Sequence, residues 1–170
     1  MLALPGAAYL YQGEELGLPE DVWLPDEARQ DPQWTRTRNA VRGRDGCRVP
    51  LPWVADAPSY GFGPGPASWL PQPSEWAAYA LDRQRGVASS TYELYRSALW
   101  QRRELGLGAG SLVWVDLGPD VVAFHNGAIL VVANLGSSPV PLPSSATPLL
   151  ASSPLTEGVP PDTTVWAATS

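Results

Sequence analysis

The sequence predicts an α/β segment followed by an all-β module, and two observations carry that expectation. Helical spacing with caps runs up to Gly106, and from Ser111 the chain breaks into short β-rich runs separated by turn residues. A third feature precedes both: ten of the nineteen prolines and five of the sixteen glycines fall between residues 19 and 73.

The first element is the apolar run Leu2 to Tyr11, broken by Pro5–Gly6 and ended by Gln12, Gly13, Glu14 and Glu15. Its second half, AAYLYQG, is short and aromatic, as a buried parallel strand is, with polar residues gathering at the C-terminal end. Such a strand needs neighbours on both sides, which implies a missing upstream part. Residues 19–73 are too long a structureless span for an ordinary connection. Trp23, Trp34, Trp53, Tyr60 and Trp69 give the span apolar anchors, so it is expected to be ordered.

Two helices are expected next. Ser74 caps the first, with Glu75 near the positive end of the dipole, Trp76, Tyr79, Ala80 and Arg83 at helical spacing, and Gly86 at the end. The second begins with a capping box, Ser90 followed three residues later by Glu93, and closes at Gly106. Tyr92, Tyr95, Leu99 and Arg102 form one stripe along it. Six short runs follow, SLVWVD, VVAFHNG, AILVVANLG, PVPLP, ATPLLASS and TTVWAATS. Asn126–Gly127 between two of them signals a type I′ hairpin. Together they make an antiparallel module of about 60 residues.

Composition narrows the function classes. The 170 residues are 44% hydrophobic with a net charge of −6, and all eleven basic residues are arginine. An acidic surface argues against a nucleic-acid partner. Cys47 stands alone, so there is no internal disulfide, and a reduced, cytoplasmic location is expected. His125 is the single histidine, which excludes a zinc site built on several histidines. No apolar run approaches the roughly 18 residues of a membrane span, and the apolar start has no preceding positive charge, so neither a membrane nor a signal peptide is expected.

Three stretches in order resemble the C-terminal third of glycoside hydrolase family 13, the α-amylase family, and most closely its α-glucosidase and oligo-1,6-glucosidase branch. LPGAAYLYQGEELGLPE, from Leu4 to Glu20, is similar to the eighth strand of a (β/α)8 barrel and its loop. RDGCRVPLPW, from Arg44 to Trp53, stands where relatives carry an ARTPMQW-like segment. STYELYRSALWQRRELG, from Ser90 to Gly106, is similar to the last barrel helix. The resemblance implies a C-terminal barrel remnant at 1–107 and a β-sandwich, domain C, at 108–170. The implied parent activity is retaining hydrolysis or transfer of α-glucosides, without metal or cofactor.

The family's aspartate nucleophile, glutamate acid and second aspartate belong to strands four, five and seven, upstream of the region resembled. No catalytic residue is therefore assigned here, and the chain alone is expected to be inactive. A retaining glycosidase needs two carboxyls about 5–5.5 Å apart across the scissile bond. Glu14 and Glu15, adjacent on an extended chain, point opposite ways and do not flank one bond. His125, followed by Asn126, does not replace the family's histidine–aspartate pair.

The substrate-binding candidate is Arg48, which matches the arginine of the ARTPMQW-like segment and by resemblance hydrogen-bonds the terminal glucose. Its alternative is a structural pairing with an internal aspartate such as Asp45. Asp31, Arg44 and Asp45 read as a loop-ordering ion network. Gln12, Glu14 and Glu15 either line the pocket or, as the better reading, hold backbone amides. Trp76, Trp100, Trp114 and Trp166 fall on core patterns, Trp53 and Trp69 either line a sugar site or, as the better reading, pack structurally, and Cys47 reads as a small buried residue. The expected partners are an α-glucoside in the parent enzyme and the N-terminal part of the barrel. The rival reading is a non-catalytic carbohydrate-binding or subunit-contact module.

Overall fold

The computed structural model describes residues 1–169, which fall into two compact units, one of residues 10–95 and one of residues 1–9 with 96–169.

The unit of residues 10–95 is mostly ordered loop with short helical turns. Its core is made by Leu24, Val49, Leu70 and Trp76, which come from four separate stretches of the loop. Leu18, Ala28, Tyr60 and Tyr79 pack against them. Helix α1, Pro32–Arg36, follows an Asp31 N-cap whose side chain accepts from the Gln33 amide, with proline at its first position.

The single helix expected from Ser74 to Gly86 is two pieces. A 3-10 turn covers Ser74–Tyr79, Ala80 is extended, and α2 is Leu81–Gln84. The break follows from tertiary hydrogen bonds: the amides of Leu81 and Asp82 donate to the carbonyls of Pro52 and Trp53. Ser74 lies inside the turn, whose N-cap position is Pro73, and its hydroxyl donates to Glu75 Oε2 at 3.4 Å. Gln84 holds the region together, donating to the carbonyls of Leu16 and Tyr79 while its side-chain oxygen accepts from the Tyr92 amide.

Helix α3, Thr91–Glu104, stands where the capping box places it. Ser90 Oγ accepts from the Glu93 amide at 3.2 Å. The Ser90 amide donates to the Val87 carbonyl at 2.9 Å, and Glu93 Oε1 accepts from the Gly86 amide at 2.8 Å. Gly106 closes the helix in the left-handed conformation, φ 63°. Of the expected stripe, Tyr92, Tyr95 and Arg102 are half-buried while Leu99 is exposed; the buried residue of the helix is Ala98, beside the stripe.

In the other unit a five-stranded antiparallel sheet has the order β1-β2-β3-β5-β4. The strands are β1 Leu112–Val115, β2 Val121–Asn126, β3 Ile129–Asn134, β4 Ala146–Ala151 and β5 Thr163–Thr169. Central β3 is buried along most of its length, as an apolar run without alternation requires. Ala123, Leu130, Val132, Val159 and Val165 form the core on one face, covered by loop residues that include Leu117, Leu142 and Leu155. PVPLP is not a strand, contributing only a Val140–Val159 bridge. Pro148 fits because β4 is an edge strand with a bulge between Pro148 and Leu150.

The hairpin turn lies one residue later than expected. Asn126 pairs with Ile129, so Gly127 and Ala128 are the central residues. Gly127 has φ 60° and Ala128 is not left-handed, the pattern of a type II′ turn. Asn126 is buried and donates to the carbonyls of Ala3 and Leu107, which removes it from the turn.

The strand expected at AAYLYQG does not form: residues 7–11 carry no strand assignment, and Tyr9 is 82% exposed. A parallel strand takes its hydrogen bonds from neighbouring strands, and none pairs with this segment among the described residues. Residues 1–6 are instead held by Arg102, whose guanidinium donates to the carbonyls of Leu2, Leu4 and Gly6.

Candidate functional site

GRDGCRVPLPW is fixed by charge and by close backbone approach. A 3-10 turn, Asp45–Cys47, brings Arg48 round, and the Arg48 amide donates to the Asp45 carbonyl at 2.9 Å. The guanidinium of Arg48 reaches Asp31, with Nη1 3.3 Å from Oδ2. Asp45 is not the ion partner weighed for Arg48. Its Oδ2 accepts instead from the amides of Gln30 and Asp31, both at 2.8 Å, and Asp45 is buried.

Asp31 is the hub. Oδ1 accepts from the Gln33 amide at 2.9 Å, and Oδ2 from the Arg44 amide at 3.2 Å. Arg44 Nε stands 3.7 Å from the same Oδ2. The Gln33 and Arg44 amides, followed by the charges of Arg48 and Arg44, hold the Asp31 carboxyl below the usual carboxylate range despite its burial. Of the expected ion network, Asp31 and Arg44 pair and Arg48 joins them, whereas Asp45 stands outside it on backbone amides.

Two glycines make the loop possible. Gly43 has φ +72°, and a Cβ there would meet Asp31 Cβ and Cγ at 2.7 Å. A Cβ on Gly46 would stand 2.4 Å from the Asp21 carbonyl, which the chain passes while accepting the Asp21 amide. Arg29, buried over the Trp34 ring at 5.8 Å, ties the opposite side by donating to the Leu24 carbonyl.

The Arg48 side chain is 35% exposed, and among the described residues its Nη1 donates to Asp31 Oδ2. A cavity of about 110 Å³ lies beside this loop, lined by Gln12, Glu14, Glu20, Gly46, Cys47 and Trp76 among others, and Arg48 is not part of its wall. That volume holds roughly three or four waters at about 30 Å³ each. It is well below the roughly 300–1,000 Å³ of small-molecule pockets.

Glu14 and Glu15 hold backbone amides, those of Tyr11 and Gly13. Burial, then the charges of Glu14 and Glu15, push the Tyr95 phenol up, and Tyr95 also hydrogen-bonds Glu14. Two expected core aromatics are buried, Trp76 and Trp166, whereas Trp100 and Trp114 are 63% and 68% exposed. Trp114 makes only an edge contact with Phe124 on the sheet surface. Trp69 is also exposed, and Trp53 is half-buried. Cys47 is half-exposed rather than buried, its thiol 3.3 Å from the Arg44 carbonyl. Sequence reasoning missed the Asp31–Arg48 pair, which no local pattern marks.

Residues 1–107 match the family model of the α-amylase catalytic domain. The chain belongs to the α-amylase family. Relatives of this family include a probable α-glucosidase of Rhizobium meliloti, 32% identical over 125 residues that make up 73% of this chain and 22% of that protein. Maltase A1 of Drosophila melanogaster is 29% identical over 79% of this chain and 24% of that protein. The chain thus spans under a quarter of the length of either relative. Among solved structures, an α-glucosyl transfer enzyme superimposes with a TM-score of 0.78 and 31% identity, covering 99% of this chain and 34% of that one. A trehalulose synthase superimposes with a TM-score of 0.79 at 24% identity, a likeness of fold. Among the described residues no group of histidine, cysteine or carboxylates could hold a metal ion, and no helix is long and apolar enough to cross a membrane.

Proposed function

We propose that the chain is the C-terminal portion of an α-glucosidase-type enzyme that hydrolyses or transfers α-glucosides with retention, and that Arg48 contacts the terminal glucose. The observation that carries the reading is the ion-paired, half-exposed Arg48 within residues matched by the α-amylase catalytic-domain model. A guanidinium held on one side by a carboxylate still offers a planar set of donors to sugar hydroxyls.

Residues 1–107 form the barrel part and residues 108–170 the β-sandwich of domain C in this reading. The family match ends at 107 and β1 begins at Leu112, which supports that boundary. The partner of the barrel part is the N-terminal portion of the same barrel, which by family resemblance carries the nucleophile and the acid. The chain is inactive by itself, and its location is the cytoplasm.

Incubating the purified chain with p-nitrophenyl α-glucoside tests the inactivity: no release of nitrophenol above the blank is expected, and sustained turnover overturns it. DNA immediately upstream, read in all frames, separates a fragment, whose strand-four, -five and -seven motifs run on in frame, from a truncated gene, in which a stop codon intervenes. In the extended polypeptide, Arg48→Ala should cost about 2–4 kcal/mol of transition-state stabilisation, seen as a loss in kcat/KM. An unchanged kcat/KM removes Arg48 from the site.

A further inference from the structure

We infer that Asp45 and Gly43 are positioning residues for Arg48, setting the guanidinium without touching it. The functional weight of this inference rests on the reading of Arg48 as a sugar contact, but its geometry does not.

The path runs through three links. Asp45 Oδ2 accepts both the Gln30 and the Asp31 amides at 2.8 Å, which fixes the backbone where Asp31 departs. Asp31, so placed, uses Oδ1 on the Gln33 amide and turns Oδ2 toward Arg48 Nη1 at 3.3 Å. Gly43 lets its stretch of the loop lie against Asp31: a Cβ there would stand 2.7 Å from Asp31 Cβ and Cγ, so the approach needs glycine. The same approach puts the Arg44 amide on Asp31 Oδ2 at 3.2 Å. Arg48 is thereby gripped at both ends, its amide on the Asp45 carbonyl and its guanidinium on Asp31.

A buried carboxylate would be costly here without partners, and Asp45 has found two amides but no arginine. A loop that only needed ordering could have paired Asp45 with the nearer Arg44 or Arg48. With Asp45 spent on the backbone, Asp31 is the sole anion paired with Arg48 among the described residues.

The test is NMR on the chain with ¹⁵N-labelled arginine, following rotation about the Arg48 Nε–Cζ bond. In Asp45→Asn the amides lose a charged acceptor, and in Gly43→Ala the new methyl displaces Asp31. Both should speed that rotation about five- to tenfold, the scale of one weakened hydrogen bond. Ser90→Ala, which destabilises α3 elsewhere, should leave it unchanged. In the unaltered chain, which needs no variant, the Arg48 signals should shift with a carboxyl that titrates below the ordinary aspartate range. Unchanged Arg48 rotation in a folded Asp45→Asn or Gly43→Ala chain overturns the inference, as does equal sensitivity to Ser90→Ala. If neither variant folds, absence of a pH-dependent Arg48 shift in the unaltered chain overturns it. The sugar reading fails separately: an Arg48→Ala change without effect on kcat/KM in the extended polypeptide removes the sugar contact and leaves the positioning intact.

Discussion

Asp31 gathers two backbone amides and two arginines, and its folded carboxyl titrates below the ordinary value near 4. A depressed acid contributes stability that is present above its unfolded pKa and lost as pH falls through the folded one. Thermal melts should therefore show Asp31→Asn less stable than the unaltered chain at pH 7, with the gap closing as the pH drops below about 4. A gap that stays constant into acid contradicts this. Asn126 is the second decisive residue. Its Nδ2 serves the carbonyls of Ala3 and Leu107, and a Cβ on Gly110 would fall 1.7 Å from its Oδ1. Removing the amide in Asn126→Ala strands two buried carbonyls, and chemical denaturation should show a loss of about 1–3 kcal/mol. Neither partnership could be read from sequence, because Asp31 and Arg48 are 17 residues apart and Asn126 meets Ala3 across 123.

At the scale of elements, α3 and the sheet strands other than PVPLP were legible because their signals close within a few residues. Ser90 bonds an amide three residues on, and Gly106 takes the left-handed conformation at the helix end. Ser90→Ala should cost about 1 kcal/mol in the same assay. β3 reads as an apolar run and is the central strand, so Leu130→Ala, 1% exposed in the native fold, should cost about 2–5 kcal/mol. Where local preference competes with a distant backbone, the distant backbone wins. The helix expected across 74–86 breaks at Ala80 because Pro52 and Trp53 take the next amides. The hairpin slips by one because Asn126 is needed in the interior.

Over the whole molecule, large aromatic side chains stand in solvent: Tyr9 and Trp23 at 82% and 83% exposed, with Trp69, Trp100 and Trp114 all above half. Exposed apolar area of this kind marks surfaces that another element covers. Light scattering of the purified chain should show association that grows with concentration, and a monodisperse monomer would count against it. The exposure of residues 7–11 explains why AAYLYQG reads as a buried strand and is not one here. Its apolar side chains are those of a strand, and the ladder they would join is not within residues 1–169.

The sequence by itself determined the family, the β-rich second half and the long helix with both its ends. Each is written in residues that are neighbours along the chain, where a cap, a period or a motif is complete within one segment. Tertiary structure decided that Asp31 rather than Asp45 holds Arg48, that Asp45 works on backbone amides, and that Asn126 belongs to the interior instead of the turn. Those choices depend on which stretch of loop returns to face a buried charge or amide. The cost of leaving such a group unpaired is settled only when the chain has closed around it.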